Sequence, residues 1–173
     1  MQSIIQRSDR TLTWTQPRAL KQEYNLLDED TLVGTLRFRS SFGTLATGES
    51  ADGSWTFKRV GFWKTRVSIR ETGSDADIAS FANNTWSNGG TLEFPDGRRY
   101  KADSNFWMTR YTFSTEQDLP LVGFEKIGGI LHLSSNVTVH EAARRLTELP
   151  VMVMLGWYLT IMMHQDSAAA AAG

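Results

Sequence analysis

Residues 149–163 read LPVMVMLGWYLTIMM, fifteen residues without one charged side chain. A helix that is apolar on all sides must be buried either in protein or in lipid. As a helix the run would rise about 22 Å, whereas the hydrocarbon core of a bilayer is roughly 30 Å thick and needs about 20 apolar residues. No Lys or Arg follows the run as a headgroup anchor. We therefore predict that 150–163 form one helix buried within the protein, with a tilted membrane anchor as the alternative.

The chain before that run has the pattern of short antiparallel strands. Residues 64–70 alternate strictly, with Thr65, Val67 and Ile69 on one face and polar or basic side chains on the other, which is the period of a half-buried strand. Turn-forming pairs such as Asp52-Gly53 separate many of the segments. Besides 64–70, we predict strands over 11–16, 20–27, 31–39, 42–48, 54–61, 76–82, 90–94, 98–103, 106–113, 120–125 and 129–134.

About twelve short strands followed by one apolar helix predict a mainly β protein, a closed antiparallel barrel wrapped around a buried hydrophobic C-terminal α-helix. Closure removes exposed strand edges and gives the helix an apolar wall on every side. Glycine inside strands favours the bends that closure needs. The sequence Gly-Thr-Leu recurs at 34–36, 43–45 and 90–92, which agrees with a closed sheet.

Length and composition indicate a single domain. The 173 residues predict one domain over 1–166, followed by an Ala-rich tail over 167–173 that we expect to be disordered. A net charge of −1 gives no global attraction to nucleic acid, so we expect no nucleic-acid partner. The chain has no Cys, and its first residues lack the apolar core of a secretory signal. We expect a cytoplasmic location, either free or peripheral to a membrane.

Three segments carry a resemblance to a known family: RVGFWKTRV at 59–67, LEFPDG at 92–97 and the apolar run at 149–163. In order and pattern the chain resembles the tubby C-terminal-like superfamily, and within it the LURP-one-related and phospholipid scramblase-like proteins. The resemblance implies a barrel of about twelve strands around a hydrophobic helix. From tubby domains it also implies a binding module for phosphoinositide headgroups. The chain lacks the Cys cluster and the calcium loop of scramblases, so the resemblance does not imply calcium activation.

The strongest candidate for a ligand site is a basic segment, the thirteen residues 58–70, which contain no acid. Its basic residues are Lys58, Arg59, Lys64, Arg66 and Arg70. On adjacent antiparallel strands these side chains would form one cationic strip on the outer wall, and Lys and Arg bind phosphate oxygens. Further candidates to extend the strip are Arg37, Arg39, Arg98, Arg99 and Lys101. The alternative is an ordinary solvated strand face.

No motif of catalysis or metal binding stands out. The acidic clusters at 28–30 and 75–77 lack the ligand spacing of a calcium loop. His140 begins a zincin-like segment without the second His, and Thr138 and Glu141 instead have capping-box spacing, which predicts a short helix. We expect no enzyme activity, no cofactor and no metal. The sequence favours a binding module for an anionic phospholipid or a protein partner, with a scaffold that binds no lipid as the alternative.

Overall fold

The computed structural model describes residues 1–61, 65–84 and 88–173. Within these residues there are twelve strands, followed by one long helix. The strands are β1 Leu12–Thr15, β2 Glu23–Asp28, β3 Thr31–Phe38, β4 Leu45–Ser50, β5 Gly53–Val60, β6 Arg66–Glu71, β7 Asp77–Asn83, β8 Gly90–Glu93, β9 Arg99–Ser104, β10 Tyr111–Ser114, β11 Pro120–Gly128 and β12 Ser134–Val139. The helical segments are short 3-10 turns at Ile5–Arg7 and Glu141–Ala143, and the α-helix α1 at Leu149–Ala172.

The twelve strands form a closed sheet in which each pairs with its sequence neighbours and the first pairs with the last. In that closing pair, Leu12 lies opposite Val137 and Trp14 lies opposite Ser135 in antiparallel register. The side chains of β2 alternate between buried and partly exposed along its whole length, because successive residues of a strand point to opposite faces. The prediction of a closed, twelve-strand antiparallel barrel is confirmed.

Helix α1 runs through the barrel, and its side chains from Leu149 to Met162 are buried. It contacts strands from both halves of the chain, including β4, β5, β10 and β11. Trp157 of the helix stacks on Trp14 of β1 with ring centroids 5.8 Å apart. Burial around the whole circumference is the environment that an apolar helix requires, and the prediction of a buried C-terminal helix is confirmed.

The helix continues beyond the barrel. We expected 167–173 to be disordered, whereas α1 extends through Ala172. Ala has the highest helix propensity, and extending a helix that is already formed avoids the cost of nucleation. The side chains of 166–172 are exposed, so this end of α1 is a projection rather than part of the core.

The segment before α1 differs from its prediction. Because β12 extends through Val139, Thr138 is a strand residue, no capping box forms, and only a 3-10 turn at Glu141–Ala143 follows. Val137 and Val139 are buried at alternate positions of β12. Burial of that strand face against the core outweighs a local preference for a helix cap, which is worth about 1 kcal/mol.

The antiparallel meander divides the connections between two ends of the barrel. Connections that follow odd-numbered strands lie at the end where α1 leaves the barrel, which we call the exit end. There Gln165 of α1 donates a 3.2 Å hydrogen bond to Gln22, which precedes β2. The opposite end, where α1 begins, is the entry end, and there Glu148 accepts hydrogen bonds from Tyr100 and Thr147. The two ends therefore present different sets of loops to the surroundings.

Candidate functional site

Three residues of the predicted basic strip share the outer face of β5 and β6. Lys58 lies opposite Ser68 in the register of these strands, and Arg66 and Arg70 lie two residues to either side of Ser68. Alternate residues of a strand point to the same face, so Lys58, Arg66 and Arg70 lie together on the outer wall. Lys58 and Arg66 are exposed there. The structure thus brings three of the candidate cations onto one surface.

These cations border an open pocket that we call the wall pocket. Its volume is about 270 Å³, and its lining also includes Leu45, Thr56, Val60, Ser68 and Asp77. Small-molecule sites in proteins usually have volumes of about 300–1,000 Å³. The wall pocket lies near the lower limit of that range, and it therefore suits a compact anion better than a large cofactor.

One of the three cations already has an acidic partner. Arg70 Nε and Ser68 Oγ each donate a 2.6 Å hydrogen bond to Oδ1 of Asp77. The hydrogen bonds from Ser68 and Arg70 hold the pKa of Asp77 below its ordinary value, so this carboxylate stays ionised and keeps Arg70 in place. Within the part of the chain that the structure describes, Lys58 and Arg66 have no ion-pair partner. The wall pocket therefore has a net positive charge.

Arg59 does not belong to this surface, and the prediction of a single strip is corrected for this residue. Because Arg59 follows Lys58 directly, it points to the opposite face of β5. Its guanidinium donates hydrogen bonds of 2.6 and 3.0 Å to the carboxylate of Asp166 in α1, and the hydrogen bond to Asp166 raises the pKa of Arg59. Arg59 thus holds the helix at the exit end. Lys64, the remaining candidate, lies outside the described residues.

The residues predicted to extend the strip divide into two groups. Arg98, Arg99 and Lys101 lie on or just before β9, and each has an acidic partner. They are distant along the sheet from β5 and β6, and their charge is already balanced locally. Arg37 and Arg39 are exposed in and after β3, and neither has an ion-pair partner among residues 1–61, 65–84 and 88–173.

The acidic clusters take part in ion pairs. Asp28 of the first cluster is buried and binds Arg7 at 2.9 Å. Asp77 of the second cluster binds Arg70, as described above. Among the described residues, no group of three His, Asp or Glu side chains is placed to hold a metal ion.

The exit end has a feature that the sequence patterns did not reveal. Its connections carry six large apolar side chains that are exposed, and we call this set the exit rim: Leu20, Phe42, Phe106, Trp107, Ile130 and Leu131. The rim residues fall within the predicted strand ranges 20–27, 42–48, 106–113 and 129–134. In the structure they precede the corresponding strands. The available signal was at least one residue type that favours turns in each of these connections, namely Pro17, Ser40, Ser41, Gly43, Asn105 and Gly129.

Comparisons with known proteins do not decide between the functional hypotheses. No family model, no curated protein and no solved structure matches this chain. Among the helices of the described residues, none combines the length and the apolar character needed to cross a bilayer. The wall pocket and the exit rim are therefore the two surface features that point to a function.

Proposed function

We propose that this chain is a non-enzymatic binding module for a phosphate-bearing anion, with the headgroup of an anionic phospholipid as the ligand class. The proposal is carried by one observation, the pair of free cations beside the wall pocket. Lys58 and Arg66 lie on adjacent strands, are exposed, and have no ion-pair partner among the described residues. Lys and Arg form charge-assisted hydrogen bonds with phosphate oxygens, and these bonds are about twice as strong as neutral ones.

Arg70 offers a third contact to such a ligand. It uses Nε for its hydrogen bond to Asp77, and a guanidinium has five N–H donors in a fixed plane. The two Nη groups therefore remain available to a bound phosphate. Because Asp77 fixes the orientation of Arg70, less side-chain freedom is lost when an anion binds.

The architecture supports the same proposal. A closed antiparallel barrel around a buried C-terminal helix is the fold that the resemblance to the tubby C-terminal-like superfamily implies. We therefore include membership of that superfamily in the proposal, nearest to the LURP-one-related proteins. This relationship makes phosphoinositide headgroups the first ligands to test.

The alternative function is a scaffold that binds no lipid. It is favoured by the net charge of −1 and by the acidic partners of Arg98, Arg99 and Lys101. A basic surface whose charges are balanced locally needs no anionic ligand. The two functions differ in whether the protein binds a soluble phosphate ligand.

Calorimetric titration with inositol hexakisphosphate tests the wall pocket without a bilayer. We expect binding that weakens as salt rises, because exposed charges are screened over about 8 Å at physiological ionic strength. Lys58→Gln combined with Arg66→Gln should weaken binding about tenfold or more, since each basic residue near an anionic surface contributes roughly 1 kcal/mol. The matched control is Arg99→Gln with Lys101→Gln, which removes the same charge from residues that have acidic partners.

The control pair should change the affinity by less than about threefold, because Arg99 and Lys101 lie on β9, away from the wall pocket, and their charge is balanced by acidic partners. Both double variants should melt like the wild type, since surface substitutions usually shift stability by no more than about 0.5 kcal/mol. Inositol without phosphate is the negative ligand. The proposal is overturned if the wild type does not bind inositol hexakisphosphate at low salt, or if both double variants lose affinity equally. The first of these results would favour the alternative, a scaffold that binds no lipid.

A further inference from the structure

The apolar side chains that the barrel exposes are concentrated at one end. All six residues of the exit rim lie on exit-end connections, and two of them, Phe42 and Ile130, are fully exposed. At the entry end, Leu119 is the one exposed large apolar side chain in the described strand connections. Met1 and Ile5 of the N-terminal segment, which packs at the same end, are exposed to 56% and 38%, less than any residue of the exit rim. Single exposed apolar side chains are normal on protein surfaces, whereas a concentration of them rimmed by polar residues marks an interaction site.

In the connection between β9 and β10, hydrogen bonds to the backbone hold the exposed side chains in place. Asn105 Oδ1 accepts hydrogen bonds of 2.9 Å from the backbone N–H groups of Thr109 and Arg110, which close the loop on itself. Phe106 and Trp107 pack edge to face at its tip, with ring centroids 5.0 Å apart. Their exposed fractions are 82% and 76%. The loop therefore holds two aromatic rings away from the core, where a partner can cover them.

The described strand connections of the exit end carry charge of one sign. These connections, 16–22, 39–44, 105–110 and 129–133, contain four Lys or Arg and no Asp or Glu. The five strand connections of the entry end contain seven Asp or Glu and one Arg. Arg18, Lys21 and Arg39 have no ion-pair partner in the described parts of the chain. The strand connections at the two ends therefore differ in charge, although the net charge of the chain is only −1.

Exposed aromatic rings with basic residues between them match an anionic lipid surface. Trp and other large apolar side chains favour the headgroup boundary, and Lys and Arg are attracted to anionic lipids. The rim residues lie on four connections that follow one another around the barrel, so they form an arc of loop tips rather than a groove. The projecting end of α1 carries no charged side chain over 167–172, and Asp166 before it is paired with Arg59. We propose that the exit end docks on an anionic bilayer, with the exit rim among the headgroups and the entry end facing the solvent.

The docking surface is separate from the wall pocket, and it rests on the proposed function only for the choice of an anionic lipid as partner. Lys58 and Arg66 lie toward the exit end of the wall, because β5 ends and β6 begins there. These two cations of the wall pocket are therefore at the end of the wall nearer to a bilayer that contacts the exit rim. The two surfaces remain distinguishable because only the exit rim needs a bilayer.

Co-sedimentation with vesicles of phosphatidylcholine, with or without phosphatidylserine, tests this docking. We expect the wild type to bind the anionic vesicles and to dissociate as salt rises. Phe42→Ser with Ile130→Ser should weaken that binding about tenfold or more, because both side chains lose apolar burial in the interface. Leu119→Ser, the matched control at the entry end, should change it by less than about twofold. Lys21→Gln with Arg39→Gln should weaken binding to the anionic vesicles and reduce its salt dependence.

The double Ser variant should fold normally, since Phe42 and Ile130 are fully exposed, and its melting temperature checks this. Wild type that does not bind anionic vesicles at low salt overturns the proposal, and so does a double Ser variant that binds like the wild type. Analytical ultracentrifugation checks for self-association. If the wild type is a dimer that does not bind vesicles, and the double Ser variant is a monomer, the exit rim contacts a second copy of the chain, and the proposal is also overturned.

Titration with inositol hexakisphosphate separates this inference from the proposed function. The double Ser variant should keep the affinity of the wild type for the soluble ligand, because the exit rim is not part of the wall pocket. If the protein binds vesicles through the exit rim but does not bind the soluble ligand, the proposed function of the wall pocket is wrong and the docking proposal stands. If the protein binds the soluble ligand but does not bind vesicles through the exit rim, the proposed function of the wall pocket stands and the docking proposal is wrong.

Discussion

The hydroxyl of Tyr158, on the central helix, donates a 2.5 Å hydrogen bond to the carbonyl oxygen of Thr44, the residue before β4. The same hydroxyl oxygen accepts a 3.1 Å hydrogen bond from the backbone N–H of Arg59 in β5. Burial raises the pKa of Tyr158 to about 12, so the phenol stays protonated and keeps its donor at neutral pH. One buried side chain therefore fixes α1 to two strands of the barrel.

Tyr158→Phe should lower the free energy of unfolding by about 1–3 kcal/mol, because two backbone groups lose their partner. Urea denaturation measures the change. Tyr111→Phe is the matched control: Tyr111 is buried to the same degree, and its hydroxyl makes no hydrogen bond to the residues that the structure describes. We expect the control to lose less than about 1 kcal/mol. Equal losses in the two variants would contradict the role of Tyr158.

Gly156 lies so close to two aromatic rings that a side chain does not fit. A Cβ at this position would lie 2.3 Å from a ring carbon of Phe124 and 3.0 Å from one of Phe113. Gly156→Ala should therefore destabilise the protein by about 1–3 kcal/mol, although Ala is about 1 kcal/mol more favourable than Gly within a helix. Ser167→Ala, on the exposed part of the same helix, should change stability by less than about 0.5 kcal/mol. A gain in stability for Gly156→Ala would show that the helix has space here.

Glu148 places a buried carboxylate just before the first turn of α1. Burial by itself would raise its pKa, but hydrogen bonds from Tyr100 and Thr147 and the charge of Arg98 hold that pKa below the ordinary value of 4.5. A carboxylate whose pKa is lower in the folded than in the unfolded state stabilises the fold above the unfolded-state value. This contribution is lost as the pH falls through the folded-state value.

Wild-type stability should therefore be level near neutral pH and fall below about pH 4.5. Glu148→Gln should be less stable at pH 7 by about 1–3 kcal/mol, because it weakens the contacts with Tyr100 and Arg98. Its free energy of unfolding should also depend less on pH in acid. Asp77→Asn is the comparison variant for the same acid titration. The pKa of Asp77 is also lowered, but its side chain lies on the outer wall rather than beside α1. Parallel curves for wild type and Glu148→Gln would contradict the assignment.

The fold could be predicted because single, strong properties decide its main features. The run at 149–163 is apolar on every side and too short to span a bilayer comfortably, which leaves enclosure by the strands. Strict alternation over 64–70 correctly places Val67 and Ile69 inside the barrel. These are local properties of the chain, and they do not depend on which strands become neighbours.

The candidate site depends on register and turn geometry, which local patterns describe less well. Lys58 and Arg59 are adjacent in sequence, yet alternation separates them onto opposite faces of β5. The binding of Arg59 to Asp166 joins a strand to the far end of the helix, and no spacing in the sequence predicts it. Phe42 and Phe106 read as the first residues of strands, because an apolar side chain at a loop tip resembles the start of an alternating segment.

Single cysteines measure most directly which end of the barrel meets a membrane. The chain contains no Cys, so Phe42→Cys and Trp107→Cys on the exit rim and Leu119→Cys at the entry end can each be labelled with an environment-sensitive fluorophore. Vesicles containing phosphatidylserine are then added, with and without brominated lipids that quench fluorophores in the bilayer. We expect a blue shift and quenching for the labels at 42 and 107, and neither for the label at 119. Equal responses at all three positions, or exit-rim labels that stay in water while the protein sediments with the vesicles, would contradict the account.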